Sequence, residues 1–197
     1  MTAALSTMSK AELRALMRAY RRDLSVLSPG AAEEAAERIP LDALPPFAVV
    51  AGYHAIGSEL NPWPALRRLA AHGRARIVLP VAVREGEPLQ FRAWDSGQPL
   101  HPDAVRVPSP TEAAEALTPQ LVLAPLLAFD ADGYRLGQGG GYYDRTIAAL
   151  RATGPVFVIG LGYAGQQVDQ VPRDAHDQPL DAIVTETGYH RVQTKDD

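Results

Sequence analysis

Residues 126–145 contain the side chains of this sequence that are best suited to chemistry. An apolar run ends at Asp130, after which Arg135, two tyrosines and Asp144 surround a cluster of glycines. The glycines are Gly137, Gly139, Gly140 and Gly141. Glycine lets backbone N–H groups approach a phosphate without obstruction by a Cβ atom, and a helix that begins at the last glycine adds unpaired N–H groups and a positive dipole end. The segment therefore predicts an anion site.

Asp144 indicates that a cation accompanies the anion at this site. A carboxylate repels phosphate oxygens unless a cation lies between them, and Mg²⁺ prefers both kinds of oxygen ligand. Arg135 is able to donate hydrogen bonds to the same phosphate oxygens. The sequence thus predicts a magnesium–phosphate site. The alternative is a glycine-rich turn between a strand and a helix that binds no ligand.

The glycine pattern differs from two familiar phosphate motifs. A Rossmann G-x-G-x-x-G follows its strand immediately and requires glycine where this chain has Tyr142. A Walker loop requires Gly-Lys-Ser/Thr, whereas the lysines of this chain are Lys10 and Lys195. The loop therefore matches neither class.

The run AFDADGYRLGQGGGYYDR, residues 128–145, resembles the signature of the 5-formyltetrahydrofolate cyclo-ligase family, also called 5,10-methenyltetrahydrofolate synthetase. Further along, a second motif of that family is matched in order and spacing. It comprises Gln166, Val171-Pro172, His176-Asp177 and Leu180-Asp181 through Val184-Thr185. The resemblance implies an ATP-driven ring closure that turns 5-formyltetrahydrofolate into 5,10-methenyltetrahydrofolate, through an N5-iminium phosphate, with release of ADP and phosphate.

The resemblance also implies roles for particular residues. The implied ATP contacts are Lys10, Arg14, Arg135, Gly137, Gln138, Gly139, Gly140, Gly141, Tyr142, Tyr143 and Asp144. The implied folate contacts are His54, Glu59 and Tyr143, and the implied magnesium ligands are Asp144 and Asp181. Arg135, Tyr143 and Arg145 are expected to act on the transferring phosphoryl group. Some family members carry lysine where this chain has Gly140, so another cation must take that role here.

Composition limits the classes of protein to which this chain can belong. Its 197 residues are most simply one domain, 1–197, and 46% hydrophobic with 21% charged residues is a globular balance. A net charge of −4 argues against nucleic acid as the main partner. Cysteine is absent, which excludes disulfides and thiolate chemistry. No apolar run has membrane-spanning length and the first residues lack a signal-peptide core, so we expect a soluble cytoplasmic protein. We also expect a monomer.

The first predicted helix runs from Ser9 to about Leu27, with apolar residues at helical spacing and Ser9 as its cap. Basic residues recur every four positions on another face of this helix. They are Lys10, Arg14, Arg18 and Arg22. This basic stripe is either a solvated surface or a contact to the phosphates of a nucleotide.

The remaining pattern alternates strands with helices. Predicted strands cover residues 47–52, 75–83, 89–94, 121–129, 156–161, 181–185 and 189–192, and predicted helices cover 31–38, 61–73 and 141–151. Residues 95–119 read as a long connection without strong periodicity. The alternation predicts an α/β protein of three layers, with a mostly parallel open sheet and helices on both faces. In such folds ligands bind in loops that follow strands, here residues 53–59.

Two other functions fit the same pattern. An enzyme of similar architecture, such as a sugar-phosphate isomerase or a CoA-transferase, would bind phosphate without hydrolysing ATP. A non-catalytic sensor of nucleotide or folate would bind without turnover. Formation of the methenyl product from 5-formyltetrahydrofolate and Mg-ATP distinguishes the cyclo-ligase from both.

Overall fold

A computed structural model of the protein describes residues 8–193, so residues 1–7 and 194–197 of the predicted domain lie outside the described part. The helices are α1 (Lys10–Leu27), α2 (Ala31–Arg38), α3 (Trp63–Gly73) and α4 (Tyr142–Thr153), with 3₁₀ turns at Leu41–Ala43 and Ala164–Gln166. The strands are β1 (Val49–Ala51), β2 (Arg76–Val81), β3 (Gln90–Ala93), β4 (His101–Pro102), β5 (Pro108–Ser109), β6 (Leu121–Pro125), β7 (Ala128–Phe129), β8 (Arg135–Leu136), β9 (Phe157–Leu161), β10 (Ala182–Thr185) and β11 (Gly188–Arg191).

Seven of these strands form one sheet in the order β11-β10-β9-β6-β1-β2-β3. The strands from β10 to β2 are parallel, while β11 and β3 pair antiparallel at the two edges. From β1 the chain proceeds to β2 on one side, and it then returns to β6 on the other side of β1. The strand order therefore reverses between β1 and β6, and a reversal of this kind is where open α/β sheets bind ligands.

Helices cover both faces of the sheet, as predicted. Val50, Leu121 and Ile159 belong to one core cluster with Ala35 of α2 and Leu66 of α3. Their neighbours along the same strands point the other way. Val49, Val122 and Val158 belong to a second cluster with Ile147 of α4. This alternation, with apolar residues at every position of the central strands, is what a sheet buried on both faces requires.

The first helix lies against a small second sheet. Ser9 caps α1, and its hydroxyl accepts the Glu12 N–H while the Glu12 carboxylate accepts the Ser9 N–H at 2.8 Å. Leu13 and Met17 pack on Leu127 and on the apolar residues of the β7–β8 pair. The helix is therefore fixed beside the segment that enters the glycine run.

The predicted strand over residues 121–129 was wrong in extent. It divides into β6 and β7, which belong to different sheets, because the chain leaves the main sheet at Leu126. The Leu126 carbonyl then accepts from the side chains of Arg21 and Gln166 rather than from a neighbouring strand. The apolar run continues through this turn because Leu126 and Leu127 are both buried.

The predicted connection over residues 95–119 also contains structure that the sequence did not indicate. A hairpin of β4 and β5 projects from it, and Asp103 holds its turn. The Asp103 carboxylate accepts the N–H groups of Ala82, Val105 and Val107 at 2.9 to 3.0 Å. Within residues 8–193, no helix combines the length and apolar character needed to cross a membrane.

Candidate active site

A cavity of about 450 Å³ lies where the strand order reverses. Tyr53 and His54, which follow β1, and Pro125 and Leu126, at the end of β6, line it. Further lining residues come from α1, from the β4–β5 hairpin, from β8, from the first turn of α4, from residues 174–177 and from the whole glycine loop, which we define as residues 137–141. Charged and apolar groups thus meet in one cleft at the carboxyl ends of the central strands.

The glycine loop has a backbone that other residues would adopt only with strain. Gly139 has φ 111° and Gly141 has φ 65°, and Gly141 is the residue that caps α4. A Cβ atom on Gly141 would also lie 2.6 Å from the Arg145 guanidinium. In the described part of the chain, the backbone N–H groups of residues 139–144 have no acceptor. The loop and the helix start therefore present free donors to the cavity, as an anion site requires.

Asp144, in the first turn of α4, is held by two donors. Arg135 donates to its Oδ1 at 3.0 Å, and the backbone N–H of Gln178 donates to the same oxygen at 3.1 Å. Arg135 is buried, and its other nitrogen donates to the Gln178 carbonyl at 2.9 Å. Burial lowers the pKa of Arg135, and the charge of Asp144 opposes that shift. The arginine is thus committed to orienting Asp144, which leaves Oδ2 for a further ligand.

Lys10, at the start of α1, lines the same cavity. Its Nζ lies 2.7 Å from Asp174 and 2.6 Å from Asp177, and all three residues line the cavity. Burial opposes the charge on Lys10, but hydrogen bonds to the two carboxylates outweigh it and raise the lysine pKa. The ammonium is therefore positive and already paired in the absence of a ligand.

The basic stripe of α1 faces the glycine loop in part. Arg14 donates to the Gly137 carbonyl at 3.0 Å, and Arg18 donates to the Gln138 side chain at 3.0 Å and to its carbonyl at 3.1 Å. These bonds attach the loop to the helix. Arg14 also lines the cavity.

Glu59 and Arg21 form a buried ion pair beside the cavity. Their side chains are each 5% exposed, and Arg21 Nη1 lies 3.4 Å from Glu59 Oε1. The Ile56 N–H donates to Glu59 Oε2, and Gln138 donates to Oε1 at 3.3 Å. The Glu59 side chain, the predicted folate contact, is therefore held in a fixed position. Tyr143 lies nearby, and burial, with the charge of Glu59, raises its pKa far above the ordinary tyrosine value.

Comparisons with known proteins point to one family. A model of the 5-formyltetrahydrofolate cyclo-ligase family matches residues 6–186. The 5-formyltetrahydrofolate cyclo-ligase of Mycolicibacterium smegmatis is 33% identical over 69% of this chain and 72% of its own, and that of Escherichia coli K12 is 32% identical over 69% and 76%. The chain belongs to the 5-formyltetrahydrofolate cyclo-ligase family. This confirms the family predicted from the two motifs.

Solved structures extend the family likeness to nearly the whole fold. The NMR structure of 5,10-methenyltetrahydrofolate synthetase from Aquifex aeolicus is 29% identical, covers 95% of this chain and 94% of its own, and superposes with a TM-score of 0.74. The synthetase from Mycoplasma pneumoniae, at 24% identity and a TM-score of 0.69, has the same fold. The predicted three-layer α/β architecture is thereby confirmed, and the isomerase, transferase and sensor alternatives are not favoured.

Most of the predicted cyclo-ligase contacts lie around this single cavity. They are Lys10, Arg14, His54, Glu59, Arg135, Gly137, Gln138, Gly139, Gly140, Gly141, Tyr142, Tyr143 and Asp144. Arg145 is not among the lining residues. It donates to the Gly140 carbonyl at 2.7 Å and lies over the Tyr142 ring at 5.2 Å, so its contacts support the loop. Its predicted action on phosphate remains a prediction.

The structure does not bring together Asp144 and Asp181, the two predicted magnesium ligands. Asp181 precedes β10 and is outside the cavity lining. Its Oδ2 accepts the Val158 N–H at 2.7 Å and lies 3.2 Å from Arg151. Asp181 therefore lies at the amino ends of β9 and β10. Ligands bind at the carboxyl ends of parallel strands, which are a full strand length away.

Sequence reasoning missed two residues of this site. Asp177 lies four positions before Asp181 and lines the cavity beside the residue whose N–H binds Asp144. The basic stripe does not include Arg21, which lies on the apolar face of α1. Its signal was present, since Leu13, Met17 and Arg21 occupy one face of α1 at intervals of four, and an arginine on an apolar face requires a buried partner.

Proposed function

We propose that this cyclo-ligase family member converts 5-formyltetrahydrofolate and ATP into 5,10-methenyltetrahydrofolate, ADP and phosphate. The observation that carries the proposal is the position of Asp144. It lies at the start of α4, next to the free N–H groups of the glycine loop and inside a cavity that Glu59 also lines. One cleft thus offers an anion site, a carboxylate for a cation and a second carboxylate for a heterocycle.

The glycine loop is proposed to hold the terminal phosphates of ATP. The unpaired N–H groups of residues 139–144 supply the donors, and the α4 dipole favours the negative charge. Arg14 lines the cavity beside Gly139 and adds positive charge. Lys10 can add more once phosphate oxygens compete with Asp174 and Asp177 for its ammonium. In this proposal Arg14 and Lys10 take the role of the lysine that some family members carry at the position of Gly140.

Mg²⁺ is proposed to bind with ATP, and the donor set fits it. No group of three or more histidine, aspartate or glutamate side chains among residues 8–193 is arranged to hold a metal. Magnesium is commonly bound by one or two carboxylates together with phosphate oxygens and water. Asp144 and Asp177 are the two carboxylates that would hold it here. When bound, the ion neutralises charge on the phosphates.

The folate is proposed to occupy the apolar part of the cavity. Ile56, Val105 and Val107 line it, and Val105 and Val107 come from the hairpin that Asp103 holds. Their apolar side chains suit a ring system. Glu59 lies 3.4 Å from Arg21, and its carboxylate oxygens can accept hydrogen bonds from the N–H groups of a reduced pterin.

The chemistry then needs alignment rather than a protein nucleophile. The formyl oxygen attacks the γ-phosphorus as the bond to ADP breaks, which gives an N5-iminium phosphate. N10 attacks the iminium carbon, loses its proton to solvent, and the carbon–oxygen bond to phosphate breaks. Every reacting atom belongs to a substrate. The protein contributes positioning and charge neutralisation, which carry most of the catalysis in phosphoryl transfer.

The enzyme is proposed to act on small molecules as a monomer. The cytoplasm remains its proposed location.

The deciding experiment mixes purified protein with 5-formyltetrahydrofolate, ATP and Mg²⁺ and follows the methenyl chromophore. The expected result is formation of one ADP for each methenyl product, with no product when ATP or Mg²⁺ is omitted. Binding of both ligands without turnover would support a sensor instead. Phosphate release without the chromophore would contradict the cyclisation.

A further inference from the structure

Gln138 is the residue through which the nucleotide side and the folate side of the cavity touch. Its Oε1 accepts from Arg18 Nε at 3.0 Å, and its Nε2 donates to Glu59 Oε1 at 3.3 Å. Gln138 stands between Gly137 and Gly139, inside the glycine loop. A side chain of the phosphate-binding loop therefore ends on the carboxylate that faces the folate.

The chemistry of the two partners explains why an amide suits this position. A guanidinium can only donate hydrogen bonds, and a carboxylate can only accept them. A carboxamide does both at once, so Gln138 satisfies Arg18 with its oxygen and Glu59 with its nitrogen, and its orientation is fixed. A side chain of either charge would satisfy one partner and repel the other.

The two ends of the contact between Gln138 and Glu59 differ in how firmly they are held. Glycine on each side gives the backbone many conformations, and the Gln138 side chain is exposed. At the other end, Glu59 is buried and is held by Arg21 and by the Ile56 N–H. A ligand that orders the loop therefore strengthens the contact between Gln138 and Glu59 that the structure already contains, and a ligand that fixes Glu59 holds Gln138 in place. Each ligand reduces the cost of ordering the site for the other.

We propose that Gln138 is a positioning residue that makes nucleotide and folate binding cooperative. The inference depends on the proposed function, since it requires that both ligands bind this cavity. Because coupling between two sites is reciprocal, ATP strengthens folate binding by the same factor by which folate strengthens ATP binding.

The test is calorimetry on the full chain with Mg²⁺ and a non-hydrolysable ATP analogue, with and without 5-formyltetrahydrofolate. For the wild type we expect the analogue to bind about fivefold or more tightly when the folate is present. Gln138→Met keeps the length of the side chain and removes both of its hydrogen bonds, while Arg18 can still reach the backbone carbonyl. Its coupling factor should fall below about twofold.

Charged variants separate coupling from a simple loss of loop structure. Gln138→Lys can still donate to Glu59 and should retain most of the coupling. Gln138→Glu places a carboxylate against Glu59, so the folate should weaken binding of the analogue. The expected order of coupling is glutamine or lysine, then methionine, then glutamate. A loop-structure role alone would give the three variants the same factor, and that result would overturn the proposal.

Two controls keep this inference distinct from the proposed function. Gln170→Met changes an exposed glutamine outside the cavity and should leave the coupling factor unchanged. The melting temperature of each variant reports whether the fold persists. Failure of the wild type to bind either ligand would refute the proposed function. Binding of both ligands without coupling in the wild type would refute the role of Gln138 and leave the proposed function intact.

Discussion

Two arginine–aspartate pairs lie at the two ends of helix α4 and differ in what they do. Arg135 meets Asp144 at the first turn at 3.0 Å, and Arg151 of the last turn meets Asp181 at 3.2 Å. Asp144 lines the cavity and Asp181 does not. The pairs have the same chemistry and nearly the same distance, so residue type and pairing alone do not identify a functional carboxylate.

The difference arises from where the two carboxylates lie. Each aspartate uses one oxygen for both of its donors, Oδ1 in Asp144 and Oδ2 in Asp181. The Asp144 carboxylate lines the cavity, whereas the Asp181 carboxylate accepts the Val158 N–H and so joins the starts of β9 and β10. The first pair lies where phosphate oxygens are expected to arrive, and the second connects a helix to two strands. The following experiments test this contrast, beginning with the largest expected effect.

Asp144→Asn should reduce the rate of methenyl formation by about 100-fold or more, because the site loses the charge that would hold the cation. Asparagine can still accept from Arg135 and from the Gln178 N–H, so the melting temperature should change little. Asp181→Asn is the matched control and should retain activity. Wild-type rates for Asp144→Asn at limiting magnesium would show that Asp144 is not a metal ligand.

Asp177→Asn should raise the Mg²⁺ concentration needed for half-maximal activity by about tenfold, which corresponds to the loss of about 1.4 kcal/mol of metal binding. The measurement is a magnesium titration at saturating ATP and folate. Asp174→Asn is the matched control, since Asp174 shares Lys10 with Asp177 but is 70% exposed at its side chain. Equal effects of both variants would point to Lys10 rather than to the metal.

Asp181→Ala should lower the free energy of unfolding by about 1–3 kcal/mol and leave kcat within a factor of about two, because the Val158 N–H loses its acceptor. Urea denaturation and steady-state kinetics provide the two readouts. Arg151→Ala leaves the Val158 bond in place and should cost about 1 kcal/mol or less. A loss of activity in Asp181→Ala without loss of stability would show that Asp181 acts in the catalytic site.

The smallest expected effect concerns acid stability. Hydrogen bonding and charge from Lys10 hold the pKa of Asp174 below its ordinary value of 3.8. A carboxyl whose pKa is lowered by folding stabilises the fold above its unfolded pKa, and this contribution is lost as the pH falls through the folded value. The melting-temperature difference between wild type and Asp174→Asn should therefore be constant above pH 3.8 and disappear in stronger acid. A difference that persists there would exclude this ion pair as its cause.

Local order in the sequence predicted some elements closely. Helix α1 was expected from Ser9 to about Leu27, and its capping box forms as predicted because Ser9 and Glu12 are three residues apart on one turn. Strands β9 and β10 lie within the predicted ranges, and β11 begins and ends one residue earlier than predicted. These elements carry their own start and stop signals.

Elements that depend on distant partners were less predictable. The end of β6 has no local signal, because the chain remains apolar through Leu126, whose carbonyl binds the distant side chains of Arg21 and Gln166. The β4–β5 hairpin was missed because its strands have two residues each and because Asp103 also caps the distant Ala82 N–H. Tertiary contacts decide both features.

The sequence by itself determined the glycine loop, the helix that follows it and the family, because neighbouring residues carry the backbone geometry that an anion site needs. Only the tertiary structure decided which carboxylates share the cavity. Asp177 and Asp181 are four residues apart, yet one lines the cavity and the other sits at the start of β10. The physical reason is that a parallel sheet places the carboxyl ends of its strands together at one end of the sheet. A few residues of chain are enough to move a side chain away from that end.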